Sequence, residues 1–254
     1  MPPIRAIIFD QDGVIIDTER DGHRIAFNET FKAFGLGFEW SVEEYHQLLQ
    51  VAGGKERMRH YLHTRSVDLG MTPQEEDDFI KRMHKHKTET FIRLLESGKL
   101  PLRPGVKRLM QEINSAGLVL GVCTTSNQRA AHAVTQQMLA GIRFDFVLAG
   151  DVVSKKKPDP EIYNLALQKT GLAPQECVVI EDSNNGVRAA SAAGMHVIAT
   201  TNYYTEGEDL SLADLVLTNL GDPAGERGVL VAGGELPDYQ GVLHLHHIQA
   251  YFAS

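Results

Sequence analysis

The chain has 254 residues, 43% of them hydrophobic and 23% charged, with a formal net charge of −8. That length and balance fit a soluble globular fold, as one large domain or one domain with an insert, and exclude a fibrous or disordered chain. The acidic charge argues against a nucleic-acid partner, and no apolar stretch approaches the roughly 20 residues of a membrane span.

Residues 4–9 form a short, continuous apolar run that predicts a central parallel strand buried on both faces. It starts so near the first residue that no targeting segment is expected ahead of it, which makes cytoplasmic the default location. The run ends in "FDQDG", which places Asp10 and Asp12 one residue apart at the end of a buried strand. Unpaired carboxylates there are costly, so a counter-charge is expected.

From about residue 18 to residue 99 only helical patterns follow. Ser41-Val-Glu-Glu and Thr72-Pro-Gln-Glu both read as capping boxes, the second with proline at the first helical position. Phe27, Phe31 and Phe34 recur at helical spacing, as do Phe91, Leu94 and Leu95. The run "HKHK" at 84–87 reads as the polar face of a helix. These signals predict an inserted unit of four or five helices, which ends where Gly98, Pro101 and Pro104 break the pattern.

Beyond it, apolar runs at 118–123, 146–149, 177–180 and 197–199 alternate with helical patterns at 105–116, 128–139, 161–170 and 186–193. Such alternation predicts an α/β fold with a Rossmann-like parallel sheet. The expected division is a core of residues 1–16 and 100–254, with an α-helical cap at 17–99. Cys123 and Cys177 each fall beside a predicted buried strand, form no Cys-x-x-Cys pattern, and read as core thiols. The tail from Gly221 is expected to end in a strand or helix. Its His244, His246 and His247 lack a nearby carboxylate or cysteine in sequence and do not make a metal set.

In an open parallel sheet, ligands bind outside the carboxyl ends of the strands. Polar residues at those ends are Asp10 and Asp12, then Thr124, Thr125, Ser126 and Asn127, then Glu181 and Asp182, with Lys157 in the loop "SKKKPDPEIY". Clustered aspartates are the hard oxygen ligands that Mg²⁺ prefers, and Gly13 would let the chain turn tightly beside the ion. "GGKERM" lacks the spacing of a phosphate-binding Walker loop, and "GLGFEW" does not complete a dinucleotide fingerprint.

"FDQDGV", "CTTSN", "KKKPDPEIY" and "VIEDSNNGVRAA" together resemble the four ordered motifs of the haloacid dehalogenase superfamily, over about residues 4 to 220. The helical insert is similar to the cap of its phosphatase and β-phosphoglucomutase branch. "HRIAFNETF", "GGKERMRHYL", "RPGVKRLM" and "LAGDVVSKKKPDP" resemble the CbbY-type proteins. The resemblance implies a Mg²⁺-dependent phosphatase acting on a small phosphorylated sugar, xylulose 1,5-bisphosphate first. A β-phosphoglucomutase-type mutase and a phosphatase of another small ester, such as phosphoglycolate, are the alternatives. It implies Asp10 as nucleophile, Asp12 as acid and base, Thr124 as phosphoryl holder, and Lys157 between nucleophile and phosphate. The metal would be held by Asp10, the Asp12 carbonyl and Asp182, with Glu181 in or near the shell.

Thr18 and Glu19 are candidates for substrate hydroxyls, and Thr125 and Ser126 for the phosphate loop. His23 stands four residues beyond Glu19, where many relatives have three. Gly53, Gly54 and Lys55 open a helix and could meet a second phosphate, with Lys87, on the later helix, as the weaker second candidate. A monomer without nucleic-acid or membrane partners is expected.

Overall fold

The computed structural model describes residues 2–51 and 53–253. They fall into two compact units, Met1–Asp17 with Pro101–Ser254, and Thr18–Leu100. Among the described residues no helix is long and apolar enough to cross a membrane.

The first unit is a seven-stranded sheet. Its strands are β1 (Ala6–Phe9), β2 (Val119–Thr124), β3 (Phe146–Ala149), β4 (Cys177–Glu181), β5 (His196–Thr200), β6 (Leu215–Leu217) and β7 (Leu230–Gly233). Their order is β3-β2-β1-β4-β5-β6-β7, parallel throughout except that β7 runs antiparallel to β6. β1 is central and wholly buried, which is why its sequence is apolar without alternation. Ala6 and Ile8 pack on one face with Ile162, Tyr163, Val187 and Ala190, and Ile7 and Phe9 point to the other by strand alternation.

Register positions the polar ends. Phe9 pairs with both Val122 and Ile180. Asp10, Thr124 and Glu181 therefore emerge at nearly the same level of three adjacent strands. Helix α5 (Val106–Ser115) buries Val106, Leu109, Met110 and Ile113, one face at i, i+3, i+4, i+7. Each such side chain contributes about 1.5–3 kcal/mol relative to exposure.

In the second unit, Thr18–His23 is a π-helical turn that runs into α1 (Arg24–Ala33), followed by α2 (Val42–Leu48), α3 (Gly54–Thr64) and α4 (Pro73–Glu96). Phe27, Phe31, Trp40, Tyr45 and Tyr61 form its aromatic core, with ring centroids 4.7 to 6.1 Å apart. Thr72 and Glu75 form the complete capping box expected for α4, with Pro73 behind it. Ser41 makes only half of one. Its hydroxyl accepts from the Glu44 amide, but the Glu44 carboxylate is held by Arg65 at 2.5 Å and does not reach back.

The "HKHK" run is not a solvated face throughout. Ile80, Met83, Lys87 and Phe91 share the buried side of α4, so Lys87 occupies a core position. Beyond Gly221, sequence signals were weakest, and here the chain forms β7 and α9 (Leu245–Tyr251). The histidines there do have a carboxylate neighbour: Glu112 of α5 bonds His244 Nδ1 at 2.8 Å and accepts from the Leu245 amide. These contacts fasten the tail to α5. The two cysteines are free and buried.

Candidate active site

The Asp10 amide donates to the Ile180 carbonyl at 2.9 Å, which continues the β1–β4 ladder one residue past the strand. The side chain meets Lys157, whose Nζ donates at 2.6 Å to Asp10 Oδ1, at 2.6 Å to Glu181 Oε1 and at 3.0 Å to the Cys123 carbonyl. Tyr163 donates its hydroxyl to Glu181 Oε1 at 2.6 Å, and Glu181 Oε2 accepts from the Asp182 amide. Glu181 is thus fully buried and fully bonded. At the start of α8 (Asn184–Ala192), Gly186 leaves room for it, since an added methyl there would overlap the Glu181 carboxylate.

Asp182 accepts from Asn202 Nδ2 at 2.7 Å. Gly13, at φ +85°, presses its backbone against the same carboxylate, and any side chain would collide with it. This is the tight turn that the glycine after Asp12 predicts. Asp12 Oδ2 accepts from Ser126 Oγ at 2.6 Å and Thr124 Oγ1 at 3.2 Å, while its Oδ1 is buried without a partner. Thr125 lies exposed between them.

Asp10, Glu181 and Asp182 are the one group among the described residues whose ligand atoms all lie within 4.8 Å of each other. Burial first, then Glu181 and Asp12, push the Asp10 carboxyl up to about 8 against the pull of Lys157. Burial first, then Glu181 and Asp10, raise Asp182 well above its ordinary range. Lys157 is drawn down by burial, but Asp10 and Glu181 outweigh this and hold it well above a free lysine. One lysine against three buried carboxylates leaves negative charge in excess. A hard divalent cation is the group this oxygen set fits.

The second unit holds its own polar cluster. Glu19 accepts from Tyr45 Oη at 2.6 Å, and Arg57 donates to the same Oη at 3.1 Å. Lys87 Nζ lies 2.8 Å from His23 Nδ1 and over the rings of Phe27 and Phe91. Burial lowers Lys87 to about 8, with Glu19 opposing and Arg57 adding to the shift. Thr18 is buried at the start of the π turn. Gly53 is the N-cap of α3 at φ +89°, Gly54 packs close to His84, and Lys55 is exposed in the first turn.

Sequence reasoning missed Tyr163, Asn202, Tyr45, Arg57 and Arg103. Tyr163, Arg57 and Arg103 stood inside quoted motifs, six residues after Lys157, two after Lys55 and at the head of "RPGVKRLM". The others have partners far along the chain and no local signal.

A family model described as haloacid dehalogenase-like hydrolase matches residues 4–194. A CBBY-like protein of Arabidopsis thaliana is 46% identical over 91% of this chain and 74% of its own length. A phosphorylated carbohydrates phosphatase of Thermotoga maritima is 30% identical, over 77% of this chain and 84% of that protein. The crystal structure of a mutant CbbY from Rhodobacter sphaeroides in complex with xylulose-(1,5)bisphosphate is 40% identical, with a TM-score of 0.66 over 87% of this chain and 98% of that one. With four motifs brought to one end of one sheet, the chain belongs to the haloacid dehalogenase-like hydrolases, in their CbbY-like branch, and is an enzyme of the phosphatase class.

Proposed function

We propose that this enzyme is a Mg²⁺-dependent sugar-phosphate phosphatase that converts xylulose 1,5-bisphosphate to xylulose 5-phosphate. The observation that carries the reading is Lys157 Nζ, shared at 2.6 Å between Asp10 and Glu181 beside the acidic triad. That arrangement presents a carboxylate nucleophile with cationic support at the place where phosphoryl charge must be met. The complex of a CbbY with xylulose bisphosphate supports the substrate.

Asp10, Asp182 and the Asp12 carbonyl would hold the ion, with Glu181 at its edge. The ion would neutralise phosphate charge and so lower the repulsion between phosphate and carboxylate. Asp10 attacks phosphorus; the bond from phosphorus to the sugar oxygen breaks, and Asp12 gives that oxygen its proton. Water then attacks the aspartyl-phosphate and loses its proton to Asp12, which releases phosphate and restores Asp10. Ser126, which donates to Asp12 Oδ2 at 2.6 Å, keeps that carboxylate aimed for both proton transfers. Thr124 and Thr125 also supply donors for the phosphoryl group, and Lys157 stabilises its charge.

A bisphosphate brings a second phosphate that the core residues do not neutralise. Lys87 is the stronger candidate to meet it, since it is buried beside His23 and Arg57 and has no ion-paired carboxylate among the described residues. Lys55, with the Gly53 and Gly54 amides, is a more exposed second cation. Thr18 and Glu19 would meet sugar hydroxyls. The test is phosphate release from xylulose 1,5-bisphosphate, xylulose 5-phosphate, β-glucose 1-phosphate and phosphoglycolate, with Mg²⁺ and with EDTA. Fastest Mg²⁺-dependent release from the bisphosphate is expected. Isomerised sugar phosphate without free phosphate would mean a mutase instead, and preference for phosphoglycolate would overturn the sugar assignment.

A further inference from the structure

Arg103 sits outside every motif that carries chemistry, in the stretch leading into α5. Its backbone amide donates to the Ile15 carbonyl at 2.9 Å. One guanidinium nitrogen donates to the Gly13 carbonyl and, at 3.2 Å, to Thr200 Oγ1. The other donates at 2.5 Å to the Thr201 carbonyl and at 3.0 Å to the Thr218 carbonyl. A single side chain thus ties together the segments that follow β1, β5 and β6. Only arginine's planar fork offers donors in that arrangement.

Two of those acceptors flank Asp182. Gly13 presses its backbone against the Asp182 carboxylate. Thr201 directly precedes Asn202, whose side chain donates to Asp182 Oδ2 at 2.7 Å. The Asp12–Gly13 peptide is held on its nitrogen side by the bond from Gly13 N to Ile16 O at 2.7 Å, and Arg103 holds the next carbonyl. Fixing both ends sets the direction of the Asp12 carbonyl as well as the wall against which Asp182 rests.

We propose that Arg103 is a positioning residue for the divalent cation, acting through the backbone of Gly13 and Thr201 on Asp182 and the Asp12 carbonyl. The proposal rests on the metal site of the proposed function. It differs in sign from a purely electrostatic role. Removing a cation next to carboxylates would by charge alone tighten the binding of a second cation, whereas removing a clamp loosens it. Residues that orient metal ligands from behind typically cost 10–100-fold in affinity when lost.

The test is Mn²⁺ binding followed by electron paramagnetic resonance, without substrate, for wild type, Arg103→Met and Arg103→Lys, with melting in EDTA to confirm folding. Arg103→Met is expected to bind Mn²⁺ roughly 10–100-fold more weakly. Arg103→Lys, which keeps the charge but not the fork, should fall between it and wild type. Unchanged or tighter binding by folded Arg103→Met would overturn the assignment. Should Arg103→Met not fold, Arg103→Lys decides on the same criterion. Wild-type protein that binds no Mn²⁺ would overturn the metal reading and this assignment with it, an outcome distinct from equal binding by both proteins.

Discussion

The two units each bury a lysine, and the two are solved in opposite ways. Lys157 stands between two carboxylates at 2.6 Å, so its charge and theirs offset each other's desolvation. Lys87 has an imidazole nitrogen, two aromatic faces and, among the described residues, no ion-paired carboxylate. Its burial is therefore a standing cost, and burial lowers it to about 8 for that reason. Protein charge completes the core site, whereas the helical unit keeps a cation with no ion-paired carboxylate among the described residues. A buried charge left in that condition is a sign of a charged ligand.

The contrast can be broken most forcefully at the core. Asp10→Asn keeps shape but removes the carboxylate proposed as nucleophile, so turnover of any phosphate ester should fall by about 10⁴-fold or more. Wild-type turnover by that variant, read as phosphate release with Mg²⁺, would refute the covalent route. Lys157→Met should be nearly as damaging and should also destabilise the fold by about 3–5 kcal/mol, because it strands buried carboxylates. Urea unfolding in EDTA measures this, and a stable variant would show that the pair is not what holds the site together.

Lys87→Met should behave in the opposite sense. At pH 7 it should stabilise the protein by up to about 3 kcal/mol, the scale set by the shift of Lys87, while kcat/KM for the bisphosphate drops roughly 10²-fold. Hydrolysis of a small aryl phosphate should be spared.

The pH dependence follows from the depressed value. Between about pH 8 and the lysine's ordinary 10.5, the unfolded chain keeps the Lys87 proton and the folded chain has lost it. Stability from this group therefore rises with pH across that window, and its penalty is full below it. The rise should vanish in Lys87→Met when stability curves of the two proteins are subtracted. Bisphosphate kcat/KM should decline above about pH 8 in wild type only. Lys55→Ala should have the smallest effect, about fivefold or less on bisphosphate kcat/KM, since exposed charges are screened. A larger loss at Lys55 than at Lys87 would reverse their ranking.

The residues gathered at the proposed core site were largely legible because their signals are local. An apolar run ending in Asp10 and Asp12 marks both a strand and its polar end, Glu181 and Asp182 end another recognisable strand, and Lys157 lies in the loop after a third. Lys87 was misread because three of the four residues in "HKHK" are polar neighbours that do face outward or lie half-buried. Only its phase with Ile80, Met83 and Phe91 betrays the burial. Arg103 was silent for another reason. Its acceptors are mostly carbonyls, which carry no side-chain identity, and all four lie 90 to 115 residues away. Strand β6 was missed because it is only three residues long, and the edge strand β7 because its residues are mostly exposed.

The π turn at Thr18–His23 has a consequence for how this chain can change. An extra residue within a regular helix would rotate everything after it by roughly 100° and carry Phe27 and Phe31 out of the aromatic core. Widening one turn stores the extra residue locally, so α1 keeps its phase. Gly22 lies within this turn, where a methyl would come 2.7 Å from the Phe91 ring. The interval between Glu19 and His23 is thereby uncoupled from the packing of α1. A one-residue change there would re-aim Glu19 or His23 while α1 keeps its phase, and its cost would fall on the contacts that Gly22 and His23 make with Phe91.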